Sequence, residues 1–271
     1  MKPRLLAFRV LTFAASSLAA CHHAPPVQRP YAAPTGDELA RLLEARAATV
    51  TSLNARARAT SWLGGERVRA TVLMLVERDG HLRFEAEVSL QGTVATLATD
   101  GRTFALLDAH KNEFSRGPAC PANVASLIRI PLAPADVAAI ILGDARRPPD
   151  ATVSPDVAWD AERGADVLEL TLPAQTLRVF FAHHGPLVDV VGAEALAGGR
   201  RLWRTSYDDF EGAGAARLPT TIRFAEGTSS YDDGVEIKLK DHQLGTPAPA
   251  SAFTLTPPAG VTVRDVGCAG P

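Results

Sequence analysis

The chain has 271 residues, a formal net charge of −2, 46% hydrophobic and 21% charged residues, and three cysteines. Its first twenty residues hold three basic and no acidic side chains, which leaves the remainder at −5, so no basic surplus points to nucleic acid or anionic lipid headgroups as electrostatic partners. The roughly 250 residues after that segment suffice for one large β domain, and no later stretch approaches the length of a membrane span.

Lys2, Arg4 and Arg9 form a positive start, and Val10–Ala20 follow as an apolar, small-residue run too short to cross a bilayer. That pattern predicts a secretory signal over residues 1–20. It ends in Leu18-Ala19-Ala20-Cys21, which resembles the lipobox of bacterial lipoprotein precursors. The resemblance implies cleavage before Cys21 and lipidation of its thiol with chains of the palmitate kind. Two or three chains make attachment effectively permanent, since each buried CH₂ contributes roughly 0.8 kcal/mol. His22, standing where Asp favours the inner membrane in enterobacterial-type sorting, implies the periplasmic face of the outer membrane.

Residues 21–34 carry Pro25, Pro26, Pro30 and Pro34 and read as an extended tether. The domain proper is expected over residues 35–271. Thr35 with Glu38 fits a capping box, and Leu39, Leu42, Leu43 and Val50 supply an apolar helical stripe. The period then changes to two. Residues 53–61, 66–78, 81–89, 93–100, 102–108 and 111–116 read as consecutive strands, with Asp79-Gly80 and Asp100-Gly101 as hairpin signals. Pro121–Ile130 and Pro134–Leu142 interrupt them as two short apolar helices, with Gly143 suited to a C-terminal cap. Strands resume at about 165–172, 176–182, 187–193, 200–208, 217–225 and 232–240. The expectation is a mainly β (α+β) fold: an incomplete antiparallel barrel of about eleven strands, an N-terminal helix, and lid helices at about 121–142 over an apolar cavity. With Cys21 lipidated, Cys120 and Cys268 remain, and an exported compartment permits them to pair; the alternative is two separate buried thiols.

Several segments, in this order, resemble the LolA/LolB family of lipoprotein carriers. They are Leu82-Arg83-Phe84 leading to Ser89-Leu90-Gln91-Gly92, then Leu127-Ile128-Arg129-Ile130-Pro131-Leu132 and Ala139-Ile140-Ile141-Leu142-Gly143. Trp203-Arg204-Thr205-Ser206-Tyr207, Leu218-Pro219 and Glu236-Ile237-Lys238-Leu239-Lys240 follow. With the lipobox, the chain is more similar to LolB, over roughly residues 37–245; the Cys120/Cys268 pair and the Pro-rich end depart from that pattern. The resemblance implies a half-barrel that holds acyl chains of lipoproteins or another lipid. It also implies a LolA-type periplasmic carrier as partner, and an apolar loop tip, here Leu90, that aids insertion into the membrane. Val72, Met74, Phe84, Leu106, Val124, Ile128, Ile140, Ile141, Phe180 and Trp203 are the expected cavity lining. The competing expectation is a structural or sensory envelope lipoprotein with a filled core that binds a protein partner. A monomer is expected in either case.

No nucleophile elbow, His-Glu-x-x-His, dinucleotide fingerprint or Walker loop occurs in the sequence. Asp108 with His110, His183-His184, Asp208-Asp209 and Asp232-Asp233 are the remaining polar groupings, and turn chemistry accounts for each of them. The chain is therefore expected not to be an enzyme and to need no cofactor or metal.

Overall fold

The computed structural model describes residues 27–63, 66–88 and 92–268. The signal segment, Cys21 and Leu90 lie outside the described residues. Among the described residues, no helix is long and apolar enough to cross a membrane.

Helix α1 spans Gly36–Thr49 and begins with the expected capping box: Thr35 N–H donates to Glu38 Oε2 at 2.7 Å, and Glu38 N–H to Thr35 Oγ1 at 3.3 Å. Its buried arc runs through Leu39, Ala40, Leu43 and Arg46. Leu42 is 43% exposed, a correction to the expected stripe. Both arcs have helical spacing, and burial of Arg46 turns the helix so that Leu42 falls outside.

Six strands then form a meander: β1 (Ser52–Leu63), β2 (Glu66–Glu77), β3 (His81–Val88), β4 (Gly92–Asp100), β5 (Thr103–Asp108) and β6 (Glu113–Pro118). Helices α2 (Pro121–Ile128) and α3 (Pro134–Ile141) follow, each with proline in its first turn, where a missing N–H costs nothing. Two short strands, β7 (Thr152–Val153) and β8 (Ala158–Asp160), precede a second meander. It comprises β9 (Ala165–Thr171), β10 (Thr176–His184), β11 (Leu187–Ala197), β12 (Arg200–Glu211), β13 (Leu218–Glu226) and β14 (Val235–Leu244), and β15 (Thr262–Asp265) comes last.

One sheet contains all fifteen strands. β1 pairs with β14 and so fuses the two meanders, while β15 lies on one edge and β7 with β8 on the other. The sheet does not close. Bulges at Arg56/Ala57, Ala86/Glu87, Phe180/Phe181 and Ala195/Leu196 bend it, as an extra residue on one strand does. The count exceeds the expected eleven, and β15 pairs with β6 in parallel, so the sheet is not wholly antiparallel. That edge is stapled: Cys120, just past β6, and Cys268, just past β15, form a disulfide with Cα atoms 6.0 Å apart.

The two ends of the curved sheet differ. At one end lie the start of β1, the β2–β3 turn and the start of β13, and a buried polar network plugs it. Arg78 forks onto Asp144 (Nη1–Oδ1 3.1 Å, Nη2–Oδ2 2.8 Å) and its Nε donates to Val50 O at 2.9 Å. Arg46 Nη2 donates to Leu142 O at 2.8 Å, and the Tyr207 hydroxyl to Asp144 O at 2.7 Å. Burial pushes the Tyr207 hydroxyl far above its ordinary range. It pushes the Asp144 carboxyl up as well, with Arg78 and Arg46 pulling the other way. Gly143 turns the chain at φ +78°, where a Cβ would collide with the Pro219 ring. Helix α3, with Val137, Ala138, Ile140 and Ile141 at or below 1% exposure, is thereby fixed as a plug.

The chain before α1 is not free from Val27 onward. Val27 N–H donates to Ala161 O at 3.1 Å and Trp159 Nε1 to Val27 O at 2.7 Å. Arg29 meets the fully buried Asp166 at 2.8 Å and packs over the Trp159 ring, while the Tyr31 hydroxyl donates to Asp166 at 3.1 Å. Burial and the Asp166 carboxylate push the Tyr31 hydroxyl up to about 12. Half of the expected tether is thus a strap on the β8–β9 edge, because its aromatic and cationic side chains find partners there.

Candidate functional site

Among the described residues, the other end of the sheet carries no such polar plug. Beneath it lies a cavity of about 230 Å³ between the inner face of β1–β4, the ends of α2 and α3, and β14. Its apolar walls come from Val72, Met74, Phe84, Ile128 and Ile141, together with Ala59, Ala70, Ala86, Leu127 and Ile237. Val68 (44% exposed) and Val88 (37% exposed) form its rim, beside the ends of β1 and β3.

The void has a local cause. Along β1, Ala55, Ala57 and Ala59 face inward while Arg56 and Arg58 face solvent. Small inward side chains on a bent sheet cannot fill the space that Val or Leu would occupy. Ala70 and Ala86, inward on β2 and β3, extend the deficit towards the rim. The run Ala55-Arg56-Ala57-Arg58-Ala59 carries this signal in the sequence, and Ala59, Ala70 and Ala86 were missing from the expected lining.

Five of the ten expected lining residues meet at the cavity: Val72, Met74, Phe84, Ile128 and Ile141. Val124 and Ile140 are fully packed in the core beside it, and Leu106 and Trp203 are half-buried against that core, with Trp203 stacked 6.3 Å from Phe224. Phe180 is not brought there. It sits in a separate cluster with Ala165 and Val167, under the Arg163 guanidinium. The inward residues of β10 are Leu177, Val179 and Phe181. Period two counted from Leu177 selects Phe181 for the main core, and the cavity is lined by neither phenylalanine.

The polar groupings serve turns and ion pairs. Asp108 accepts from Lys111 N–H at 3.0 Å, and Asp209 accepts from Thr221 Oγ1 at 2.7 Å. Asp208 pairs with Arg223, and His183 lies 3.1 Å from Asp166. Among the described residues, Glu77, Asp79 and His81 place one ligand atom each within 4.8 Å of one another at the β2–β3 turn. His81 Nδ1 is 2.7 Å from Asp79, its ring packs on Phe253, and Glu77 accepts from Ala248 N–H at 3.0 Å. These contacts hold the C-terminal segment against the hairpin.

No protein-family model and no curated protein matches the chain. Solved structures do. A LolA superfamily protein, NE2245 from Nitrosomonas europaea, is 15% identical with a TM-score of 0.55, covering 82% of this chain and 99% of that one. A DUF1329 family protein from Desulfovibrio piger ATCC 29098 is 11% identical with a TM-score of 0.55, covering 81% and 95%. A domain named for outer membrane lipoprotein sorting, from Vibrio parahaemolyticus, is 11% identical with a TM-score of 0.55, covering 80% and 94%. The chain has a LolA-like fold.

Proposed function

We propose that this chain is a LolB-like, non-enzymatic carrier that takes acyl chains of lipoproteins or other lipids into its half-barrel. It is held by acylation of Cys21 at the periplasmic face of the outer membrane. The observation that carries this reading is the apolar cavity opening at the exposed Val68 and Val88. The LolA-like fold and the lipobox-like Leu18–Cys21 add support. At 230 Å³ the cavity lies below the roughly 300–1,000 Å³ usual for ligand sites and would admit only part of a chain without movement of its walls. Helix α2 is the moving wall. Of its residues only Val124 is fully buried, against nearly the whole of α3. Cargo enters as α2 swings, while α3 and the Arg46–Arg78–Asp144 network hold the floor. Leu90, which follows β3 in the sequence and lies outside the described residues, is the residue that would enter a membrane.

The small volume also favours a second reading, a filled-core envelope lipoprotein that binds a protein partner. Titration with a fluorescent fatty acid separates the two. Wild-type protein is expected to bind it saturably, and Ala70→Phe to lose binding with an unchanged melting temperature, because the new ring occupies empty space. If wild type binds nothing and Ala70→Phe loses about 1–3 kcal/mol of stability, the overpacking of a filled core, the second reading holds.

A further inference from the structure

Helix α2 has two faces with different neighbours. Val124, Leu127 and Ile128 point to the core and the cavity, whereas Ala122, Ala125, Ser126 and Arg129 form the opposite wall of a second cleft of about 510 Å³. That cleft is polar. Its far side carries Trp62 from β1, Glu226 at the end of β13, and Ser229 and Asp233 from the β13–β14 turn. Ser61 and Val235 belong to both spaces, so the cleft opens directly beside the cavity's mouth.

The charged residues that line the cleft are one cation and two anions, all exposed, while Arg67 packs over the Trp62 ring at 5.3 Å and Arg69 lines the adjoining cavity. Among the described residues, Arg129, Glu226 and Asp233 have no ion-pair partner within 4 Å, although nearby Arg204 and Arg223 are engaged by Tyr231 and by Asp208 and Glu236. Arg129 is held in an unusual way. It caps α2 at φ +59°, in the left-handed region where glycine is the ordinary choice.

We propose that this cleft is the headgroup subsite for a zwitterionic phospholipid whose acyl chain lies in the cavity. The phosphate faces Arg129, the ammonium faces Glu226 and Asp233, and the Trp62 indole sits at the polar–apolar boundary it suits. This inference rests on the acyl-carrier reading and adds the class of ligand. Swinging of α2 joins the two spaces, so one movement admits the chain and its headgroup together.

The test is displacement of a bound fluorescent fatty acid from the full chain by phosphatidylethanolamine, phosphatidylglycerol or diacylglycerol of matched chains. Phosphatidylethanolamine is expected to compete about fivefold better than diacylglycerol, the scale of exposed charge pairs. Phosphatidylglycerol is expected to fall short of it. Arg129→Ala with Glu226→Gln is expected to bring all three within about twofold of one another. Equal competition by all three lipids at wild-type protein overturns the headgroup subsite and leaves the acyl reading standing. Parity of phosphatidylglycerol with phosphatidylethanolamine overturns the ammonium assignment. Failure of the fatty acid itself to bind overturns the acyl reading, and the subsite with it.

Discussion

Asp144 is fully buried against two guanidiniums, and the chain around it depends on that contact. Removing the carboxylate leaves Arg78 and Arg46 charged and without their buried counter-ion, a change that costs about 3–5 kcal/mol in comparable buried pairs. Asp144→Ala is accordingly expected to lower stability by that amount in urea denaturation. A loss below 1 kcal/mol would show that the network does not hold the floor. The sequence did not disclose this group. Arg46, Arg78 and Asp144 are scattered over a hundred residues, each beside ordinary turn or helix signals, and only tertiary packing makes them partners. Phe180 and Phe181 present the opposite case. Strand parity distinguished them, and the aromatic count alone did not.

The long elements were legible because their periods are strong: twelve strands and three helices fall close to the expected ranges. The short ones were not. β7, β8 and β15 have two to four residues, too few for alternation to register, and they lie near Pro148, Pro149, Pro155, Pro257 and Pro258. What holds β15 is pairing with β6 and the Cys120–Cys268 bond across 148 residues. Cys120→Ser with Cys268→Ser is expected to cost about 2–4 kcal/mol. It is also expected to speed amide exchange at Thr262–Asp265 while leaving β1 and β14 protected. Unchanged exchange at β15 would mean that strand pairing alone secures the edge. The strap of Val27–Tyr31 escaped the sequence because prolines read as a free tether, whereas Arg29 and Tyr31 meet a buried carboxylate from 135 residues away.

At the scale of the molecule, the sheet is a trough plugged at one end. Alanines on its inner face leave a void, and two helices of unequal burial cover it. A cavity was expected from the helices interrupting the sheet, whereas the position of the void towards β1–β4 follows from side-chain size, which the hydrophobic pattern does not encode. Native mass spectrometry of the exported chain tests the central claim most directly, with Cys21 replaced by Ser behind a cleavable secretion signal so that covalent acyl groups add no mass. A population heavier than the polypeptide by one lipid, released on gentle activation, is expected. A bare polypeptide mass that persists after incubation with phospholipid vesicles would contradict it.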